Sequence, residues 1–435
     1  MLNQTQGCRF TLWASTIFCP GALRGRFLIN SFFKGSSFRG FSFQQSSPSV
    51  RQFTRPSVQL FDLNQKFEEE THPGYIAEVS YSVNIGQVFQ SRYKVVGKLG
   101  FGGYSTVWLC KDLTWDKYLA LKVFRRDSAE GEREMANYHR INTVKSSHAG
   151  AMLVRTALDN FQIEDTRGSY QVIIHRPLGV RLYDLRHRFT ERILPEKAVK
   201  MVLAHLLLAL DYLHTETGIV HTDIQENNIL LGIEDESLLA EFEEDEKSNP
   251  SARKVDGNRV VYASREFRTT DNFGRPVLCD FGQARFGSAR YHGDIQPYTY
   301  RAPEILLRTS WDEKVDIWNL AVLTWNIFQR EPLFYAKDPE NKDSTIHHIA
   351  EMIAVLGPPP GDMLQSNDYA TKFFDSEGNW RGMAPIPSTT LEQREEFLQG
   401  AQQQLFLAFM RRMLQWRPED RSSARELLAD QWLLS

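Results

Sequence analysis

The chain has 435 residues, 42% hydrophobic and 24% charged, a balance that builds a packed globular body with room for two or three domain-sized units. No apolar run reaches the roughly 18 residues that cross a bilayer, and the four cysteines (8, 19, 110 and 279) form neither a metal pair nor a disulfide pattern, which suits a reducing compartment. The net charge of −3 conceals an asymmetry: residues 1–61 hold seven basic residues and no acid, so the remaining body is strongly acidic, a field that favours basic partners and argues against direct nucleic-acid binding.

Residues 1–61 are rich in Ser, Phe, Arg and Gly and show no sustained period. That composition fits a mitochondrial transit peptide, a disordered tail or a mis-assigned start, and the segment to about residue 64 is set aside from the fold. An extended approach over 65–92 follows. Strands are then expected at Tyr93–Gly100 and Ser105–Lys111, joined by Gly-Phe-Gly-Gly-Tyr-Ser. Gly100 and Gly102 remove side chains where backbone N–H groups come close to phosphate oxygens, and Val107 is placed to pack over a flat heterocycle. The alternative is an ordinary glycine hairpin.

The next strand, Tyr118–Phe124, surrounds a single Lys122 with apolar residues, and an ammonium there needs opposite charge. A helix after it offers Glu134, with Tyr138 and Ile141 on the same inward face and Glu132 as its competitor. Residues 150–178 read as further strands. The stretch Glu196–Leu213 reads as a helix with Val199, Val202, Leu203, Leu206, Leu210 and Leu213 on one stripe.

Val220–Leu230 places His221, Asp223 and Asn228 in the order His-x-Asp-x-x-x-x-Asn between apolar anchors. An acid-rich stretch follows at 234–246, with eight acidic positions and no basic one, read either as a solvated face or as a docking surface for Arg-rich peptides. Pro276–Phe281 reads as a buried strand delivering Asp280, whose carboxylate is a hard oxygen ligand for Mg2+. A very apolar helix carries Asp316 and Trp318, and late helices are expected near Ala401–Leu414 and Ser422–Asp430, with Arg421 placed to pair with Glu304.

Taken together, the glycine turn, Lys122, the loop at 221–228, Asp280-Phe281-Gly282 and Ala302-Pro303-Glu304 resemble the eukaryotic protein kinases from about Tyr93 to Trp432. The phrases Pro-Gly-Tyr at 73–75, Tyr-Ser-Thr-Val-Trp at 104–108, His-Thr-Asp-Ile at 221–224, Asp-Ile-Gln at 294–296 and Tyr-Arg-Ala-Pro-Glu at 300–304 are most similar to SR-protein kinases, especially fungal ones. The resemblance implies an α+β bilobal kinase fold: a small strand-rich lobe over 93–178, and a larger helical lobe over 179–435 that holds the acidic insert at about 232–275.

It also implies transfer of the ATP γ-phosphate to Ser or Thr hydroxyls, in Arg/Ser-rich proteins of mRNA splicing, by a monomer of cytoplasm and nucleus; mitochondria are the alternative suggested by the N-terminus. By position, Asp223 would be the catalytic base, and Lys122 would hold the phosphates and pair with Glu134. Leu99, Gly100, Gly102, Gly103, Ser105, Val107 and Ala120 would line the ATP site, and Asn228 and Asp280 would hold Mg2+. His221, Phe281, Gly282, Glu304, Asp316 and Arg421 would be structural.

Three departures stand against this pattern: Ser105 replaces the third glycine, Gln225 replaces the lysine two positions after the base, and Pro297 replaces its threonine partner. A pseudokinase scaffold is therefore the alternative, with a small-molecule phosphotransferase as a third reading. Few hydroxyls lie near the usual regulatory site, Ser288 being one, so activity without loop phosphorylation is expected.

Overall fold

The computed structural model describes residues 58–270, 272–365 and 367–435, so most of the basic N-terminal segment lies outside the described residues. The described chain forms two compact units: one strand-rich (up to Glu132, Thr156–Gly179 and Leu231–Gly274), one helical (Arg133–Arg155, Val180–Leu230 and Arg275–Ser435).

The strand-rich unit is a six-stranded antiparallel sheet. Its strands are β1 (Val88–Phe89), β2 (Tyr93–Phe101), β3 (Ser105–Asp112), β4 (Lys117–Phe124), β5 (Asp159–Asp165) and β6 (Gly168–His175), in the spatial order β1-β2-β3-β4-β6-β5. Alternation along the strands sorts side chains onto two faces. One face collects Val95, Trp108, Cys110, Leu121, Val123, Val172 and Ile174 into a core completed by Val83 and Tyr262. The other collects Val96 and Leu109.

The acidic insert, which the sequence assigned to the helical lobe, groups instead with this sheet. The reason is apolar: the insert helix Ser237–Ser248 buries Leu239 and Phe242 against Val96 and Leu109. Gly97 permits the approach, since a Cβ there would lie 2.7 Å from the Phe242 ring. Several acids of the run have partners within the unit: Glu246 pairs with Arg265 at 3.0 Å, Glu243 accepts from the Tyr118 hydroxyl at 2.5 Å, and Glu241 pairs with Arg268 at 3.0 Å. The hairpin Arg253–Asp256/Arg259–Tyr262 then runs beside the N-terminal approach, where Phe61 N donates to Arg253 O at 3.0 Å.

That approach is fastened by buried charge. The Lys98 side chain is 0% exposed and donates to Glu69, to Glu68 at 3.4 Å and to Tyr262 O at 2.9 Å. Lys254 pairs with Glu70 at 2.9 Å alongside. Removing one partner of a buried pair strands the other charge, so Glu69→Ala is expected to lower stability by about 3–5 kcal/mol. Glu68→Ala, losing the longer contact to Lys98 and the bond from the Ser264 hydroxyl at 2.6 Å, is expected to cost less than Glu69→Ala. Chemical denaturation of the two variants checks this; equal losses would show that Lys98 does not depend on Glu69.

In the helical unit, α1 (Ala129–Thr143) contributes its residues from Arg133 onward, α2 (Glu196–Tyr212) forms the axis, and α3 (Lys314–Phe328) is buried along almost its whole length. All six residues of the expected α2 stripe are buried, and so are Leu207, Leu208 and Ala209. The helix is therefore enclosed around most of its circumference. His348, on the helix Thr345–Leu356, lies in the same interior, 5.0 Å from the Phe334 ring, and neither ring nitrogen has a hydrogen-bond partner among the described residues.

Burial, helped by the positive charge of Arg301, pushes the His348 pKa down to about 3. A histidine titrates near pH 6.5 when unfolded, so below that pH the unfolded chain binds more protons and stability falls with pH. At pH 5 this one residue is expected to cost about 2 kcal/mol. Denaturation of His348→Leu at pH 7 and 5 checks it: the acid loss should shrink by that amount, and an unchanged loss would assign it to other groups.

Candidate active site

In the strand-rich unit the register lines up Gly100, Val107 and Lys122 as consecutive partners across β2, β3 and β4. Paired residues share a face, and Ala120 joins them two positions along β4. A bulge between Lys98 and Gly100 takes Leu99 out of the ladder, and the turn closes with Gly102 N donating to Ser105 O at 2.8 Å. Neither Gly100 nor Gly102 has a positive φ, and a Cβ on either would meet nothing within 4 Å. Their glycines are thus not demanded by the backbone or by neighbours. What they leave is open space beside the turn, which suits a phosphate cradle. Gly103 differs: a Cβ there would lie 3.0 Å from the His72 ring of the N-terminal approach.

The helical unit gathers the acidic groups. Asp223 accepts from Asn228 Nδ2 on Oδ2 at 2.8 Å and from Gln225 Nε2 on Oδ1 at 2.8 Å. Asn228 Nδ2 also donates to Asp223 O, and Asn228 O accepts from Cys279 N at 2.8 Å, which ties the loop to the residue before Asp280. Burial pushes the Asp223 carboxyl above its ordinary range. The charge of His221 and the Asn228 amide hold it back, nearby Asp280 adds to the rise, and the Gln225 amide lowers it again.

The loop is held from beneath. Asp316, 0% exposed at the start of α3, accepts from His221 N at 2.8 Å, Thr222 N at 2.7 Å and His214 Nε2 at 2.8 Å. Thr222, a β-branched residue at φ +69°, is strained, and its hydroxyl donates to Gln283 O at 2.9 Å. His221 bridges Asp223 N on Nδ1 and Cys279 O on Nε2, and its ring packs 5.0 Å from Phe281. Phe281 in turn meets Tyr138 of α1 at 5.4 Å, and Asn137 donates to Phe281 O at 3.0 Å.

Glu134 of α1 is buried where its competitor Glu132 is exposed, and Gly282 leaves room between Glu134 and Asp280, its missing Cβ 3.6 Å from one carboxylate and 3.2 Å from the other. Asp280 stands at φ +66°, which no strand residue adopts, so the strand is Phe273–Leu278 and ends before the position expected from sequence. Arg421 and Glu304 form the expected pair, two bonds of 2.6 Å, both side chains buried.

Sequence reasoning missed a tie next to Pro297. Gln296, at φ +70°, donates to Val315 O at 3.0 Å and accepts from Ala302 N at 2.8 Å, fixing the segment on either side of Pro297. It also missed Asn319, Arg186 and Tyr291. Asn319 accepts from Ile224 N, Arg186 pairs with Glu226 at 2.5 Å, and Tyr291 bridges Trp311 through two backbone bonds with the rings 4.8 Å apart. Residue type alone carries none of these contacts; the positive φ at Gln296 is visible only in the folded chain.

A protein kinase domain pattern matches residues 93–433. This chain belongs to the protein kinase family. A serine/threonine protein kinase of Aspergillus fumigatus is 41% identical over 90% of this chain and 97% of its own length. The serine/threonine-protein kinase SRPK of Physarum polycephalum is 28% identical over 86% and 92%, and SRSF protein kinase 3 of Mus musculus is 23% identical over 84% and 90%. A crystal structure of another kinase domain superposes with a TM-score of 0.61 at 24% identity, over 82% of this chain and 99% of that one. The protein is a serine/threonine protein kinase whose relatives include SR-protein kinases, and kinases of this family use ATP and Mg2+.

The residues present fit those groups. Asp280 offers a carboxylate, and Asn228, its nitrogen occupied by Asp223, offers its amide oxygen. Among the described residues no group of three or more His, Cys, Asp or Glu could hold a metal alone, and Mg2+ is a cation that takes one or two protein oxygens and completes its shell with phosphate and water.

Proposed function

We propose that this kinase phosphorylates serines in arginine- and serine-rich protein segments, using ATP and Mg2+. The observation that carries the chemistry is the Asp223 carboxylate, clamped by two amides beside Asp280 in a loop strained over Asp316. The substrate hydroxyl oxygen bonds to the γ-phosphorus as the bond from that phosphorus to the bridging oxygen of the nucleoside diphosphate breaks, and Asp223 orients the hydroxyl and takes its proton. Asn228 and Asp280 would hold Mg2+, which when bound would neutralise phosphate charge. Lys122 and the glycine turn bind the phosphates, so positioning and charge supply the rate.

Substrate choice follows from charge. The body after residue 61 is strongly acidic, which draws basic peptides, and the names of the Physarum and mouse relatives point the same way. The expected result is faster phosphorylation of an Arg-Ser repeat peptide than of a neutral serine peptide, with neither labelled by Asp223→Ala. Equal rates on the two peptides would overturn the substrate reading while leaving the kinase intact.

The activation segment is held without phosphate by the Tyr291–Trp311 bridge, the Arg290–Asp312 pair at 3.0 Å and Gln296. Activity without loop phosphorylation follows from this reading, in the cytosol and nucleus where such substrates reside. Phosphatase-treated protein should keep its rate.

A further inference from the structure

Position 225 is where the chain departs most plainly from other serine/threonine kinases, and the structure gives the departure a use. Gln225 sits in extended backbone between two fixed neighbours: Ile224 is fully buried, and Glu226 is held by Arg186 at 2.5 and 3.0 Å. From there its Nε2 reaches Asp223 Oδ1 at 2.8 Å while Asn228 Nδ2 reaches Oδ2 at 2.8 Å. The two carboxylate oxygens are thus engaged by separate donors, one on each side. A carboxylate offers about four lone-pair positions, so this clamp fixes the plane of the group and still leaves each oxygen able to accept from a hydroxyl.

We propose that Gln225 is a positioning residue for phosphate transfer: its neutral side-chain amide, opposed by that of Asn228, locks the rotation of the Asp223 carboxylate. The proposal rests on the kinase reading of Asp223 given above. It follows that the residue needed at 225 is a hydrogen-bond donor of this reach, and that its charge is secondary. Methionine matches glutamine in length without a donor, glutamate matches it in shape but presents a second carboxylate, and lysine supplies a donor of different chemistry. Gln225 is half-buried and makes no other side-chain hydrogen bond among those found, so none of the three is expected to disturb the fold.

The experiment is steady-state kinetics of wild type, Gln225→Met, Gln225→Glu and Gln225→Lys on an Arg-Ser repeat peptide with ATP and Mg2+, with thermal midpoints measured alongside. Gln225→Met should lower kcat about tenfold or more, since a freely rotating base loses its alignment, with KM for ATP and the thermal midpoint unchanged. Gln225→Glu should lose at least as much, and Gln225→Lys should recover most of the rate. A Met variant within twofold of wild-type kcat overturns the proposal, as does a Lys variant no better than Met. Those outcomes leave the kinase reading standing. A wild type that transfers no phosphate overturns both.

Discussion

Asp223→Ala is expected to lower kcat by about a hundred- to ten-thousand-fold, the range removed with a positioned general base, and to leave KM for ATP near its wild-type value. The accompanying stability change decides the interpretation. Burial pushes the Asp223 carboxyl upward, which means that its ionised form is disfavoured in the folded protein. For an acid raised in this way, ionisation at neutral pH works against folding, and the effect disappears as the pH falls through the folded pKa. Removing the carboxyl should therefore leave thermal stability unchanged or raise it. Opposite signs for activity and stability mark a group kept for chemistry. A variant that loses both together would show that Asp223 serves the fold.

Arg421→Ala makes the complementary case, a residue far from the transferred phosphate on which the loop depends. The guanidinium, 0% exposed, holds both oxygens of Glu304 at 2.6 Å. It also donates to Lys314 O and Gln415 O at 3.1 Å and lies over the Trp318 ring, while Lys314 donates back to Arg421 O. Lys314 opens α3, and two residues later Asp316 supports the loop. Cutting this pair strands the Glu304 carboxylate in the interior, and a loss of about 3–5 kcal/mol is expected. Arg421→Met combined with Glu304→Leu should recover a large part of it, because neither charge is then left alone. Denaturation midpoints of the single and double variants measure the coupling, and a single-variant loss below about 1 kcal/mol would contradict it.

The contrast between these residues shows what a sequence discloses. Asp223, Asn228, Asp280, Lys122 and Glu134 could be singled out from sequence because short motifs carry them and their residue types suit the chemistry of phosphate and metal. The burial of Glu134 over Glu132 followed from helical period alone. The insert was misplaced because its charge pattern is local while the forces that seat it are not. Eight acids suggested a solvated face, yet Leu239 and Phe242 pack on Val96 and Leu109, more than a hundred positions earlier. Lys98 gave no sign either, since its carboxylates lie on a turn 29 residues upstream. Backbone strain at Thr222, Asp280 and Gln296 is likewise a product of the fold and is invisible in composition.

If Asp280 and Asn228 form the metal end of a nucleotide site, ATP affinity depends on Mg2+ and on the Asp280 carboxylate. Calorimetric titration of ATP into the purified protein, with Mg2+ and then with a chelator, tests it most directly. Wild type should bind ATP tightly only with Mg2+, and Asp280→Ala should bind weakly and equally in both conditions. Affinity that ignores the metal, or that survives intact in Asp280→Ala, would contradict the account.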